Sequence, residues 1–258
     1  MFLYKDKEWL KNKYTNEKLS TYKIAKLCRV NDETIRKRLH KYNIPIRSKS
    51  EAEHLASGNH CVLSQEAIEW INGELLGDGA LRSQSKYSAN VTYTSKYPEY
   101  IKYVSNILKS YGVEQAGKIV KEYHKKYDCF TYHYNSRCYV ELLPIRKQWY
   151  PEGKKIIPKD IKLTPLTLRQ HYIGDGSLSC PEHWNPFIKL CTYGFPVADV
   201  EYFLEKLKRL GIKAKRSTRN AIRISAYSTK DFLKYIGSCP VECYQYKWRA
   251  TKYASLPV

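Results

Sequence analysis

The chain is most constrained by what it does not contain. None of its eight cysteines forms a Cys-x-x-Cys pair; Cys239 and Cys243 stand four apart, Cys129 and Cys138 nine apart. That spacing argues against structural zinc and leaves reduced, buried thiols in a reducing compartment as the expectation. No run of about 18 apolar residues occurs, so a membrane-spanning helix is not expected. The opening residues Met1-Phe2-Leu3-Tyr4-Lys5-Asp6-Lys7 turn charged at once, which is unlike a signal peptide. A soluble, intracellular protein of a prokaryotic cytoplasm or an organelle is therefore expected, with no membrane partner. Acidic residues are also scarce, with 25 Asp and Glu against 45 Lys and Arg.

The imbalance leaves a net charge of +20 over 258 residues. A surplus of that size implies a polyanionic partner, and nucleic acid is the common one. A generic basic surface, or a ribosomal or membrane-surface protein, is the plainer alternative. The length accommodates one large domain or two to three small ones with real hydrophobic cores. The 24 tyrosines and 5 tryptophans suit packed sheets and can also contact sugars and bases.

The segment Ile71-Asn72-Gly73-Glu74-Leu75-Leu76-Gly77-Asp78-Gly79 recurs loosely as Leu168-Arg169-Gln170-His171-Tyr172-Ile173-Gly174-Asp175-Gly176. Its two aspartates lie 97 positions apart (175 − 78 = 97), the length of one small domain, so the chain reads as two similar halves. Gly-Asp-Gly at one helix end is an ordinary turn and cap. Two matched copies are harder to dismiss, because a carboxylate in the last helical turn faces the negative end of the helix dipole, at a cost of about 0.3–1 kcal/mol. If the two motif helices pack side by side, Asp78 and Asp175 meet, and a divalent ion between them relieves their repulsion. Hard Mg²⁺, with carboxylate, carbonyl and phosphate oxygens, fits that description. Gly73 and Gly77, four apart on one face, permit close approach of another backbone. Gly174 matches Gly77, but Gln170 replaces the glycine expected opposite Gly73, so the pair is expected to be asymmetric.

Residues 1–50 are Lys-rich and helical in pattern. Ser20 caps a helix whose Tyr22, Ile24, Ala25 and Leu27 are expected to face inward. After a break at Cys28-Arg29-Val30, Asn31 caps a second helix carrying Ile35, Leu39 and Tyr42, with Arg36, Lys37 and His40 outward. The pair resembles a helix-turn-helix DNA-binding unit. Residues 51–63 read as a connector. Residues 64–160 then read as helix, strands 80–86 and 89–94, a helix opened by Pro98, strands 117–123 and 129–134, and a helix over 138–148. Residues 161–258 repeat this order: a motif helix over 166–176, strands 177–179 and 187–192, a helix opened by Pro196, strands 213–218 and 221–226, and a helix over 229–236. An α+β fold follows, built from two αββαββα repeats with curved antiparallel sheets and a small all-α N-terminal domain.

The paired motifs resemble the signature of the LAGLIDADG homing endonucleases in their single-chain, two-repeat form, across about residues 64–258. The resemblance implies a DNA-binding saddle and a site-specific double-strand endonuclease that hydrolyses phosphodiesters with divalent metal. It assigns the metal to Asp78 and Asp175, assisted by the carbonyls of Gly77 and Gly174. Mg²⁺ is the implied cofactor, with Mn²⁺ or Ca²⁺ able to substitute in binding. A lysine near the end of each repeat is also implied: Lys155 and Lys247, at matching distances from their motifs (155 − 78 = 77 and 247 − 175 = 72). In such chemistry metal and lysines offset charge building on the phosphate while water attacks and the 3′ oxygen leaves.

Recognition is expected from strand residues in the major groove and from phosphate contacts. The candidates are Arg82, Gln84, Lys86, Thr92, Lys121, Tyr132, Tyr134, Lys189, Lys215, Arg216, Arg219 and Arg223, with Arg36, Lys37 and Arg47 from the helix-turn-helix. A one-residue register error would invert the strand set. The expected partner is duplex DNA with a long, pseudo-palindromic site, met by a monomer. An intron-encoded or free-standing element is expected rather than an intein, since no splicing-type Cys at residue 1 and no terminal His-Asn are present. The competing readings are an intron RNA maturase, for which intron RNA is the partner, and a non-cleaving DNA-binding regulator.

Overall fold

A computed structural model describes residues 3–181 and 185–249, with backbone alone at positions 50, 54 and 57. The chain divides into two units, Met1–Gly58 and Asn59–Val258.

The first unit is helical: α1 (Lys7–Lys11), α2 (Thr21–Cys28), α3 (Asp32–Lys41) and α4 (Lys49–Ser57). Ser20 caps α2 by accepting from Lys23 N at 3.1 Å, and Asn31 caps α3 by accepting from Glu33 N at 2.9 Å. Between them Arg29 takes a left-handed conformation (φ 52°), which ends α2 and turns the chain. Leu10, Tyr14, Ile24, Ala25, Ile35, Leu39 and Ile44 form its core. Tyr22 and Leu27 do not join it, being 69% and 61% exposed; at 3.6 residues per turn both lie about 110° from the centre of the buried Ile24–Ala25 stripe.

Arg47 also departs from expectation. Its guanidinium donates to the carbonyls of Lys18 (2.9 Å), Tyr14 (2.9 Å) and Leu19 (2.5 Å), and sits 3.9 Å from the centroid of the Tyr14 ring. Three backbone acceptors and an aromatic face use the fork of donors internally, so Arg47 ties this unit together instead of facing a phosphate.

The second unit runs α5 (Gln65–Leu76), β1 (Ala80–Arg82), β2 (Asn90–Ser95), α6 (Pro98–Ser110), β3 (Val120–His124), β4 (Cys129–Asn135) and α7 (Leu142–Trp149). It then runs α8 (Pro165–Asp175), β5 (Gly176–Ser179), β6 (Phe187–Leu190), α9 (Val197–Arg209), β7 (Ala214–Arg216), β8 (Ile222–Ile224) and α10 (Ala226–Ile236). The αββαββα order is present twice. The two sheets are antiparallel and open, in the equivalent orders β1-β2-β4-β3 and β5-β6-β8-β7. Ser64 and Thr164 cap the equivalent helices α5 and α8.

Where elements fall short of the sequence pattern, local side chains explain it. β1 stops at Arg82 because Ser83 Oγ donates to the carbonyls of Ser85 and Ser88, closing a polar turn. β3 begins only at Val120, after Gly117 at φ +66°. β8 ends at Ile224 because Ser225 caps α10, accepting from Ser228 N at 3.3 Å, so α10 starts three residues before the expected Thr229. α7 starts only at Leu142 because Ala89 and Tyr139 exchange backbone hydrogen bonds of 3.0 and 2.8 Å, which keep residue 139 out of the helix until the chain turns at residues 140–141.

One core spans both halves, joining Trp70, Ile71, Leu75, Tyr93, Tyr100, Tyr134 and Trp149 to Leu168, Tyr172, Ile173, Ile188, Phe203 and Phe232. At its centre α5 packs directly on α8. A Cβ on Gly73 would stand 2.6 Å from Thr167 O and 2.7 Å from Gln170 Cβ. The bulk of Gln170 therefore occupies the space that Gly73 vacates, and the helices meet asymmetrically.

Substituting Gly73→Val should cost on the order of 1–3 kcal/mol by overpacking an interface with no slack. Urea unfolding monitored by circular dichroism tests this, and an unchanged midpoint would show that α5 and α8 can separate freely.

Candidate functional site

α5 and α8 converge on two more glycines. A Cβ on Gly77 would lie 3.3 Å from Gly174 Cα, and one on Gly174 would lie 3.2 Å from Asp78 N and 3.7 Å from Asp78 Oδ2. Backbone touches backbone here, which brings the ends of the two motif segments together with their aspartates. Asp175 is the last residue of α8; Asp78 follows Gly77, the cap of α5.

The two expected lysines reach the same place from the far end of each half. Lys155 Nζ donates to Gly77 O (3.3 Å) and Gly79 O (3.0 Å). Lys247 Nζ donates to Tyr172 O (3.4 Å), Ile173 O (2.5 Å) and Gly174 O (3.1 Å). Each ammonium thus caps the carbonyl end of its own motif segment, the electronegative pole of the helix. The same bonds occupy Gly77 O and Gly174 O, the carbonyls expected to assist a metal. A carbonyl has two lone pairs, so one remains on each, beside an ammonium.

The electrostatics of the four groups are mutual. Burial, followed by the charge of Asp78, pushes the Asp175 carboxyl up to about 6, against the pull of Lys155 and Lys247. Asp78 is likewise raised by burial and held down by the same two lysines, Lys247 first. Burial brings Lys155 and Lys247 down to about 8 each, with both aspartates opposing. Two carboxylates reluctant to ionise and sharing a floor form a set that a hard divalent cation would relieve. The donor chemistry fits such an ion.

Glu74 and His171, buried polar residues beside this floor, were not anticipated. Glu74 is 2% exposed and accepts from Tyr100 Oη at 2.7 Å. Gln170, with its amide oriented to satisfy both ends, donates to Glu74 Oε1 (3.2 Å) and accepts from Trp70 Nε1 (2.8 Å) and Tyr103 Oη (3.1 Å). Burial pushes the Glu74 carboxyl up to about 8, so it is neutral at pH 7. His171 occupies the equivalent position in α8, is fully buried, and is driven down to about 3 by burial, hence also neutral. Their polarity inside otherwise apolar motif segments was the available signal.

Strand register places the expected recognition residues. In the first sheet the pairs Leu81↔Val91 and Tyr93↔Tyr134 face the core, while Arg82↔Asn90, Ala80↔Thr92, Thr92↔Asn135 and Thr94↔His133 share the opposite, open face. Arg82 and Thr92 are therefore on the open face, with Thr92 8% exposed. Gln84 and Lys86 are exposed in the β1–β2 turn.

Tyr134 is a correction: it is fully buried in the core and can contact no ligand. Lys121 pairs with Tyr132 on that same helix-side face. Tyr132 packs against the core, and Lys121, though exposed, lies 3.9 Å from the centroid of the Phe130 ring. Neither points with Arg82. Asn90, Asn135 and His133, not anticipated, take the open positions that alternation assigns.

In the second sheet Lys189↔Arg223 and Lys215↔Arg223 align three cations across β6, β8 and β7 on one face. Arg216 falls on the other face, and its Nε pairs with Glu201 of α9 at 2.5 Å. Arg219 is exposed in the β7–β8 turn. In the first unit Arg36 and Lys37 are exposed on α3, with Arg36 3.4 Å from Asp32 one turn back.

Among the described residues no helix is long and apolar enough to cross a membrane. Comparison with known proteins agrees with the repeat architecture. The chain is 26% identical over 200 residues, 77% of its length and 76% of the relative's, to uncharacterized protein MJ1098 of Methanocaldococcus jannaschii. It is 26% identical over 162 residues to the cytochrome b mRNA maturase bI2 of Debaryomyces hansenii, spanning 56% of each chain. Its fold is similar to that of the homing endonuclease I-WcaI solved bound to its DNA recognition sequence, with TM-score 0.64 and 17% identity over 80% of this chain and 94% of that one. The LAGLIDADG DNA endonuclease family model matches residues 68–232, more than half of the sequence, and the chain belongs to that family.

Proposed function

We propose that the chain is a site-specific endonuclease that cuts both strands of a DNA duplex. Each half would contribute one carboxylate, Asp78 or Asp175, to hold a divalent ion, Mg²⁺ under cellular conditions. The observation that carries this reading is the glycine-to-glycine contact of α5 and α8, which sets two carboxylates side by side and two partly buried lysines against the same backbone. A binding protein has no evident use for two carboxylates buried together where burial raises both of them.

The bound ion would supply Lewis acidity at the phosphate and lower the pKa of an attacking water. The chain's own groups do the rest. Asp78 and Asp175 would anchor and orient the ion. Lys155 and Lys247, held by backbone carbonyls, would present positive charge where negative charge accumulates in the transition state. Their preorganisation means that little rearrangement is needed as the reaction proceeds. With one carboxylate and one lysine supplied by each half, the near-symmetric site would serve one cut per strand.

Both carboxylates come from a single polypeptide, so a monomer suffices. The open sheet faces would lie along the DNA. On the second sheet Lys189, Arg223 and Lys215 would neutralise phosphates or donate to guanine edges. On the first, Arg82, Asn90, Thr92 and Asn135 offer mixed donors and acceptors. Since the two faces differ in chemistry, the target would be only pseudo-palindromic. Arg36 and Lys37 of α3 would extend the contacted sequence in helix-turn-helix fashion.

The likeness to an mRNA maturase supports a second reading, in which the same basic faces bind intron RNA. A plasmid carrying the chain's own flanking locus with the insertion removed separates the two. With Mg²⁺ the nuclease reading expects linear product, abolished in Asp78→Asn and in Asp175→Asn while binding in gel shifts is retained. Specific binding of intron RNA with no cleavage of that plasmid would favour the maturase.

The shifted groups set the pH profile of cleavage. Asp175 is raised, so protons compete with metal as pH falls through about 6; the lysines are lowered, so they shed charge as pH rises through about 8. At subsaturating Mg²⁺ the rate should be bell-shaped with limbs near those values. A flat profile between pH 5 and 9 would exclude these groups.

Arg223→Ala should weaken DNA binding and reduce the slope of log affinity against log salt by about 1, as when a single phosphate is no longer neutralised. Arg216→Ala, on the face turned from the duplex, should leave the slope unchanged. Equal effects of the two substitutions would contradict the register assignment.

A further inference from the structure

The open face of the first sheet carries a constellation that phosphodiester chemistry does not use. Glu122 and His124 alternate along β3, and His133 projects from the adjacent β4; the pairs Val120↔His133 and Glu122↔Thr131 put all three side chains on one face. Among the described residues they form a group whose ligand atoms all lie within 4.8 Å of one another. His133 Nε2 lies 3.0 Å from Glu122 Oε2. Metal–ligand bonds of about 2.0–2.1 Å at a tetrahedral angle place neighbouring ligand atoms about 3.3 Å apart, so this pair already stands at nearly the required separation.

The surroundings orient the His133 ring as a ligating imidazole is oriented. Thr94 Oγ1 sits 2.9 Å from His133 Nδ1, holding the distal nitrogen and leaving Nε2 toward Glu122. Thr131 Oγ1 lies between the rings, 2.7 Å from His124 Nε2 and 3.0 Å from His133 Nε2. A hydrogen-bond partner on the second nitrogen is the usual device for fixing the tautomer and direction of a ligating imidazole. Partial exposure of both histidines, with Glu122 more exposed still, gives an ion a route in.

We propose that Glu122, His124 and His133 bind a borderline divalent transition-metal ion, zinc being the common member of that class. Two imidazoles and one carboxylate select such an ion over Mg²⁺ or Ca²⁺, which prefer oxygen alone. Three protein ligands leave a fourth position open on the face of the sheet, for water or for an atom of a bound ligand. The cysteine spacing that argues against structural zinc has no bearing here, since no thiol takes part. The bond network around Thr131 would give way to coordination, with the Thr131 hydroxyl turning aside.

The site is independent of the proposed nuclease centre, and the test keeps the two apart. The full chain carrying Asp78→Asn and Asp175→Asn is titrated with Zn²⁺ by calorimetry and with Co²⁺ by visible absorption, in the presence of millimolar Mg²⁺. One equivalent of Zn²⁺ is expected, with cobalt spectra of nitrogen and oxygen coordination and no thiolate charge-transfer band. Adding Glu122→Gln or His133→Ala should weaken zinc binding at least tenfold while thermal unfolding in chelator stays unchanged. Should His133→Ala fail to fold, Glu122→Gln and His124→Gln carry the test. Zinc binding that survives all of these substitutions, or a cobalt spectrum dominated by thiolate, overturns the proposal, as does absence of binding at micromolar Zn²⁺.

Discussion

Direct contact between two helix backbones, made possible where side chains are missing, is the constraint on which the molecule depends. Gly73 admits Gln170, and Gly77 meets Gly174. That closeness decides where Asp78 and Asp175 lie and which carbonyls Lys155 and Lys247 can reach, and it joins the hydrophobic interiors of the halves into one core. A side chain at Gly77 would press on the backbone of Gly174 and so shift the carboxylates along with the helices. Packing and chemistry at this point are therefore the same problem, met by the same residues.

Much of this was legible in the sequence, because it is encoded locally. Caps at Ser20 and Asn31 are short-range signals, and α2 and α3 start where those residues place them. The duplicated Gly-Asp-Gly marks both aspartates without reference to any distant contact, and the element order repeats visibly. The faces of the strands were not legible in this way. Tyr132 and Tyr134 look like the polar aromatics that meet bases, yet Tyr134 pairs with Tyr93 and sinks into the core. Arg216 and Arg223 are both strand arginines, and only cross-strand register separates one paired with a helix glutamate from one facing outward. Arg47 read as a surface cation because nothing nearby in sequence announces the three carbonyls it binds.

The two sheets share a topology and differ in character. The second presents aligned cations; the first presents amides, hydroxyls, imidazoles and a carboxylate, with few charges facing the same way. Long-range attraction to a polyanion falls mainly to the second, whereas the first is equipped for short-range, directional contacts. Duplication within one chain permits this division, because each half can change without imposing the same change on a partner.

Glu74 and His171 lead to a last point about the resting protein. Occupying equivalent places, one is a carboxylic acid that keeps its proton and the other an imidazole without an extra one, so neither contributes net charge near neutrality. The ledger beside them is then two anions against two cations, which balances unaided. A site balanced in this way need not wait for an ion in order to assemble, so the two halves can be fully built before any divalent guest arrives.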